Sequence, residues 1–95
     1  MPQTEYIHTL LTSPESIVWE GEATTITSKN SEGIFDLYPD HARFMTLLED
    51  VDVVIRPPEE AEKTFHVEKA VLIFQDATAK IYLHKHIDPE PDQED

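Results

Sequence analysis

Ninety-five residues hold one domain, because a second core would have too little apolar material. At 39% hydrophobic and 28% charged the chain is ordinary globular material. No apolar run nears the ~20 residues that span a membrane, and the lack of cysteine excludes disulfides and thiolate chemistry. Twenty acidic residues against seven basic give a net charge of −13. Setting aside the five acids of the last eight residues leaves fifteen against seven, or −8. Such a domain repels phosphate backbones and anionic lipid, so neither nucleic acid nor lipid insertion is expected. A basic protein surface is the natural partner; the plainer alternative is that the charge serves only solubility. Met1-Pro2-Gln3-Thr4-Glu5 lacks the basic-then-apolar pattern of a signal peptide, and nothing contradicts a cytoplasmic location.

In chain order, Tyr6–Leu11 is weakly strand-like, and Ser13-Pro14-Glu15 is a turn. Ser16–Glu20 has the β-branched and aromatic content of a strand, and Gly21 permits a bend or bulge. Ala23–Ser28 reads as strand, Lys29–Gly33 as a turn, and Ile34–Tyr38 as the next strand. Val51–Arg56 alternates cleanly until Pro57-Pro58 ends it. Lys63–Glu68 alternates too, and Val71–Phe74 is a continuous apolar run suited to a strand buried on both faces or twisted at an edge. Gln75–Thr78 is a hairpin turn without the favoured Asn-Gly or Asp-Gly pair. Ala79, Ile81 and Leu83 then share a face.

Asp40–Asp50 is ambiguous: its propensities and the possible N-cap Asp40 fit a short helix. The surrounding candidates, spaced roughly every 8–12 residues, point to an all-β sandwich or barrel. The tail Asp88–Asp95 is acidic, holds two prolines and is expected to be disordered.

The residues carry no motif for catalysis. With only Gly21 and Gly33 there is no phosphate loop, and neither a His-Glu-x-x-His pattern nor a nucleophile elbow occurs. No enzyme activity and no cofactor are expected. His84 and His86, two apart on a strand, project to one face and form either a weak zinc pair or a solvated polar face. His66 falls on a polar face, His8 on either face. His41 follows the Pro39 corner and either contacts a partner from a loop tip or only hydrogen-bonds the turn. Trp19 either fills the core or anchors an interface.

One stretch carries a family resemblance. Ser31-Glu32-Gly33, then Tyr38-Pro39, then His41-Ala42 resembles the glycine turn and Pro-Gly-His-Ala corner of the N-terminal β-sandwich domain of the F-type ATP synthase ε subunit. Upstream, Thr12-Ser13-Pro14-Glu15, Trp19 and Gly21-Glu22-Ala23 resemble that family's opening hairpin, and Phe65–Leu83 its closing one. Together these cover about residues 6–87. The resemblance implies a flattened antiparallel β-sandwich of about 8–10 short strands over residues 1–87, with Phe44–Leu48 a strand rather than a helix. It implies a non-catalytic central-stalk subunit linking the γ subunit to the membrane c-ring, associated with the membrane only through that complex. Glu32, Gly33, Pro39 and His41 would face the c-ring.

The alternative is a free-standing β-sandwich interaction domain with another partner. The chain departs from the family at Asp40, where a glycine is usual, at Ile34, often acidic, at Lys69-Ala70, usually Gly-Gly, and at Asp50-Val51-Asp52, which lacks a glycine. It also carries no C-terminal helical hairpin, so neither inhibition nor ATP binding by one is expected.

Overall fold

The computed structural model describes residues 5–85; His86 and the expected acidic tail Asp88–Asp95 lie outside them. Seven strands form one hydrogen-bonded sheet: β1 (Ile7–Thr12), β2 (Ile17–Ala23), β3 (Thr25–Asn30), β4 (Gly33–Leu37), β5 (Phe44–Arg56), β6 (Lys63–Gln75) and β7 (Thr78–Leu83). Their order is β2-β1-β7-β6-β5-β3-β4. The all-β class stands. The strands are fewer than the expected 8–10 because neighbouring candidates fuse: Phe44–Leu48 with Val51–Arg56, and Lys63–Glu68 with Val71–Phe74. Pairing is antiparallel except between β1 and β7, which run parallel.

The fused strands make the sandwich. Their ladder keeps one register from Phe44↔Phe74 to Ile55↔Lys63. Along β6, β7 pairs with Ala70–Gln75 alone, and along β5, β3 pairs with Val54–Arg56 alone, so the two ends of the ladder belong to different layers. Inward-facing positions change parity between them. Leu48, Ala70, Leu72 and Phe74 are buried on one side of the corner, and Val53, Ile55, Phe65 and Val67 on the other. A strict period of two cannot do this. Two consecutive exposed residues in each strand, Glu49-Asp50 and Glu68-Lys69, break the alternation. Asp50 takes φ 56°, the left-handed region where glycine is favoured and Asp is among the better-tolerated side chains. The missing family glycine thus has a backbone reason to be there. Ala70, by contrast, is a buried core residue next to the corner.

The helical propensity of Asp40–Asp50 is overridden. From Phe44 onward, Phe44, Thr46 and Leu48 turn inward, Met45 and Leu47 turn outward, and each residue through Glu49 has a ladder partner on β6. Residues of both layers join one core with Ile7, Leu11, Ile26, Leu37, Ala79 and Ile81, all fully buried. Phe35 of β4 meets Phe44 of β5 edge-on across the layers at 5.1 Å. Among the described residues no buried side-chain polar atom lacks a hydrogen-bond partner. None of them forms a helix long and apolar enough to cross a membrane.

Trp19 is half-buried against the core, with its indole laid over Gly21. A Cβ on Gly21 would stand 2.8 Å from that ring, so the glycine serves a close approach and not the expected bend. The register shift lies opposite Leu11–Thr12 instead.

Two turns depend on backbone conformation in opposite ways. The β6–β7 turn places Asp76 and Ala77 at φ 54° and 56°, the type I′ geometry that explains how a pair other than Asp-Gly still closes this hairpin, at some strain. Gly33 takes φ 122° with open space around its Cβ position, so conformation alone requires glycine there. Ala77→Gly is therefore expected to stabilise the domain by about 0.5–1 kcal/mol, and Gly33→Ala to destabilise it by about 1–3 kcal/mol. Urea denaturation of the two variants checks both signs.

Candidate functional site

The residues singled out by sequence sit at the two ends of the short edge strand β4. At its start, the Asn30 Oδ1 accepts the Glu32 backbone N–H at 2.8 Å, which shapes the Ser31–Gly33 turn. The Asn30 Nδ2 donates to the Thr46 Oγ1 at 3.1 Å and ties the turn to β5. The Glu32 side chain is left exposed at the tip.

Past the other end of β4, Tyr38-Pro39-Asp40-His41 forms the corner. The His41 N–H donates to the Tyr38 carbonyl at 3.0 Å. The His41 Nδ1 lies 2.8 Å from the Ala42 carbonyl, which can only accept, so Nδ1 carries a proton. The ring stands edge-on to Phe44 and Phe74, at 5.6 and 5.8 Å between centroids. His41 is thus both exposed and structural: it bonds the turn and caps the aromatic end of the core. Asp40 is not among the residues with positive φ, so the corner does not need the family's glycine. With Arg43, Pro39 and His41 face the β6–β7 turn across an open groove of about 540 Å³.

Structure does not bring the four residues together. Gly33 and Leu37 are four strand steps apart, roughly 13 Å, with Glu32 and Gly33 at one end and Pro39 and His41 beyond the other.

Sequence reasoning missed a second feature. The layer of β2, β1, β7 and the adjoining halves of β6 and β5 has an apolar outer face. By register, Leu47, Val71, Tyr82, Thr12 and Ile17 form one row across five strands, and Met45, Ile73, Lys80, Leu10 and Glu20 the next. Met45, Leu47 and Ile17 are 69%, 64% and 54% exposed. The signal was the apolar residues on both faces of Phe44–Leu48 and Val71–Phe74. On the other layer's outer face Ile34 is 76% exposed, but it stands among polar groups: Thr27 donates to Asp36, and Arg56 donates to Thr25 and Thr27 at 3.1 and 2.9 Å. A row of exposed apolar side chains running across neighbouring strands marks an interaction site.

Among the described residues no group of three His, Cys, Asp or Glu side chains could hold a metal ion. His84 is exposed, its Nδ1 3.4 Å from the Lys69 carbonyl, and its expected zinc partner His86 is outside the described residues. His8 meets Glu20 at 3.2 Å. His66 lies between two carboxylates, Nδ1 2.8 Å from Asp52 and Nε2 2.8 Å from Asp50. Its pKa is raised above 6.5, first by the bond to Asp52 and then by that to Asp50, against a smaller opposing effect of desolvation.

The roles of Glu32 and His41 separate by stability. Removal of the His41 ring forfeits two edge-on aromatic contacts, so His41→Ala is expected to cost about 1–2 kcal/mol. Glu32→Gln, at an exposed tip, stays within about 0.5 kcal/mol. Thermal denaturation of the two variants measures the difference.

Comparison with known proteins supports this arrangement as a shared fold. No curated protein matches the chain by sequence. Among solved structures, a chain of the Tetrahymena thermophila mitochondrial ATP synthase, from a structure described as its central stalk and c-ring, matches with a TM-score of 0.73 at 17% identity. That match covers 93% of this chain and 69% of the other. A chain of the Euglena gracilis mitochondrial ATP synthase, described as OSCP/F1/c-ring in rotational state 1, matches with a TM-score of 0.78 at 13% identity, covering 87% of this chain and 53% of its own length. The family model for the β-sandwich domain of the ATP synthase delta/epsilon chain matches residues 6–87. The chain therefore belongs to the ATP synthase delta/epsilon β-sandwich family, as the Ser31–Ala42 resemblance implied.

Proposed function

We propose that this domain is a non-catalytic part of a rotary ATP synthase stalk, packing on the γ subunit and touching the c-ring, and peripheral to the membrane. The observation that carries the reading is the row of exposed apolar side chains, Met45, Leu47, Ile17 and Tyr82, across the outer face of one layer. A stalk component must hold a partner firmly under torque, and burial of such a face supplies adhesion without chemistry. The acidity fits a basic loop as second partner, because opposite fields steer and orient docking. Glu32 and Gly33 offer that contact from the turn, and Pro39 and His41 from the corner. Because these pairs sit at opposite ends of β4, joint contact with one ring requires β4 to lie along its surface.

Copurification with the γ subunit of the same organism tests the reading. Wild-type protein is expected to bind. Leu47→Asp puts a charge into the apolar face and is expected to cost on the order of 2 kcal/mol, about 30-fold in Kd, without unfolding a domain whose core it does not touch. Glu32→Lys is expected to spare γ binding and weaken coupling of proton flow to ATP synthesis in the assembled enzyme. Absence of γ binding by the wild-type domain overturns the stalk reading in favour of a free-standing interaction domain.

A further inference from the structure

We propose that His66 is a proton-operated clasp on the β5–β6 corner: its imidazolium, held between Asp50 and Asp52, keeps the corner closed, and loss of its proton loosens it. It follows from the geometry of the corner and stands whether or not the domain serves a stalk.

His66 of β6 pairs with Asp52 of β5, and Asp50 follows two residues along toward the corner. The ring spans both, with Nδ1 and Nε2 each 2.8 Å from a carboxylate oxygen. Ionised carboxylates only accept hydrogen bonds, so both ring nitrogens must donate. Only the imidazolium does this. A neutral ring has one N–H and would turn a lone pair toward a carboxylate oxygen at the same distance, so one of the two contacts must break.

The place is sensitive. At the corner the ladder passes from Glu49↔Lys69 to Val51↔Val67 with no pairing of Asp50 and Glu68. Asp50 holds a left-handed backbone there, at φ 56°. The bond to His66 ties its side chain to the neighbouring strand where the main-chain rung is missing. Asp50 also borders a groove shared with Asn30, Ser31 and Glu49, which links the corner to the turn that carries Glu32.

The surrounding charges favour the protonated ring. From β5, Asp50 and Asp52 face it directly. From β3, Lys29 lines the same groove and opposes its charge, while β4 contributes the apolar Ile34. On β6 itself, Glu68 is engaged by Lys85 at 3.2 Å. The raised pKa agrees in direction. A raised folded-state value means that the clasp is fully made below pH 6.5 and is lost as pH rises through the folded-state value.

Nitrogen-resolved NMR titration of the full chain, with amide exchange corrected for its intrinsic pH dependence, tests the proposal. The His66 ring is expected to titrate above 6.5, and protection at Glu49–Val51 and Glu68–Lys69 to fall through the same pH range while that of Leu72 holds. In His66→Gln, corner protection is expected to be low at every pH. Asp50→Asn and Asp52→Asn keep the ring but remove one charge each, and each is expected to lower the titration point. A ring that titrates at or below the ordinary value, corner amides whose protection ignores His66's charge, or an unshifted titration in both Asn variants overturns the proposal.

Discussion

The pairing of Phe44–Arg56 with Lys63–Gln75 holds both layers of the sandwich. Every other strand hangs from one of its ends: β7, β1 and β2 from the Ala70–Gln75 end, β3 and β4 from the Val54–Arg56 end. The ladder can serve both layers because its inward face changes parity at Glu49-Asp50 and Glu68-Lys69. On β5 the change falls at Asp50, which holds a left-handed backbone. A continuous hydrogen-bonded sheet thus folds over one core, with β2 and β4 left as its edges.

The same construction explains the two unlike outer surfaces. One layer shows water Thr, Asp and Arg side chains that bond one another. The other presents Met45, Leu47, Ile17 and Tyr82. A small domain has few ways to stiffen itself, since it buries only roughly 60–65% of its unfolded surface. A rigid ladder with adhesive side chains on one face suits a passive coupling role. The exposed turn at Glu32 and the corner at His41 lie at the two ends of β4.

Much of this was legible along the chain. Turn chemistry at Ser31–Gly33, the prolines after Arg56 and the alternation of Val51–Arg56 reported local structure correctly, because backbone conformation and pleat are local properties. The Ser31–Ala42 pattern also pointed to the right family. The propensities of Asp40–Asp50 left a helix open, but helix propensity is weak against a ladder partner far away in sequence, and Phe44–Leu48 is the strand that the resemblance implied. Val71–Phe74 suited a strand buried on both faces or twisted at an edge; it is instead part of a central strand that buries Leu72 and Phe74 and leaves Val71 and Ile73 only partly covered. His66 looked like an ordinary polar-face histidine, because its two carboxylate partners come from another strand.

By itself the sequence determined the all-β class, the main turns, the absence of a recognisable catalytic motif and the acidic balance, all of which follow from residue type and short-range spacing. Tertiary structure alone decided which candidates fuse into long strands, that Glu32 and His41 lie at opposite ends of β4, and which apolar side chains face outward. It also decided that His66 sits between two carboxylates. These depend on strand register and on the parity change at Asp50, and register brings together residues whose separation along the chain carries no local signal.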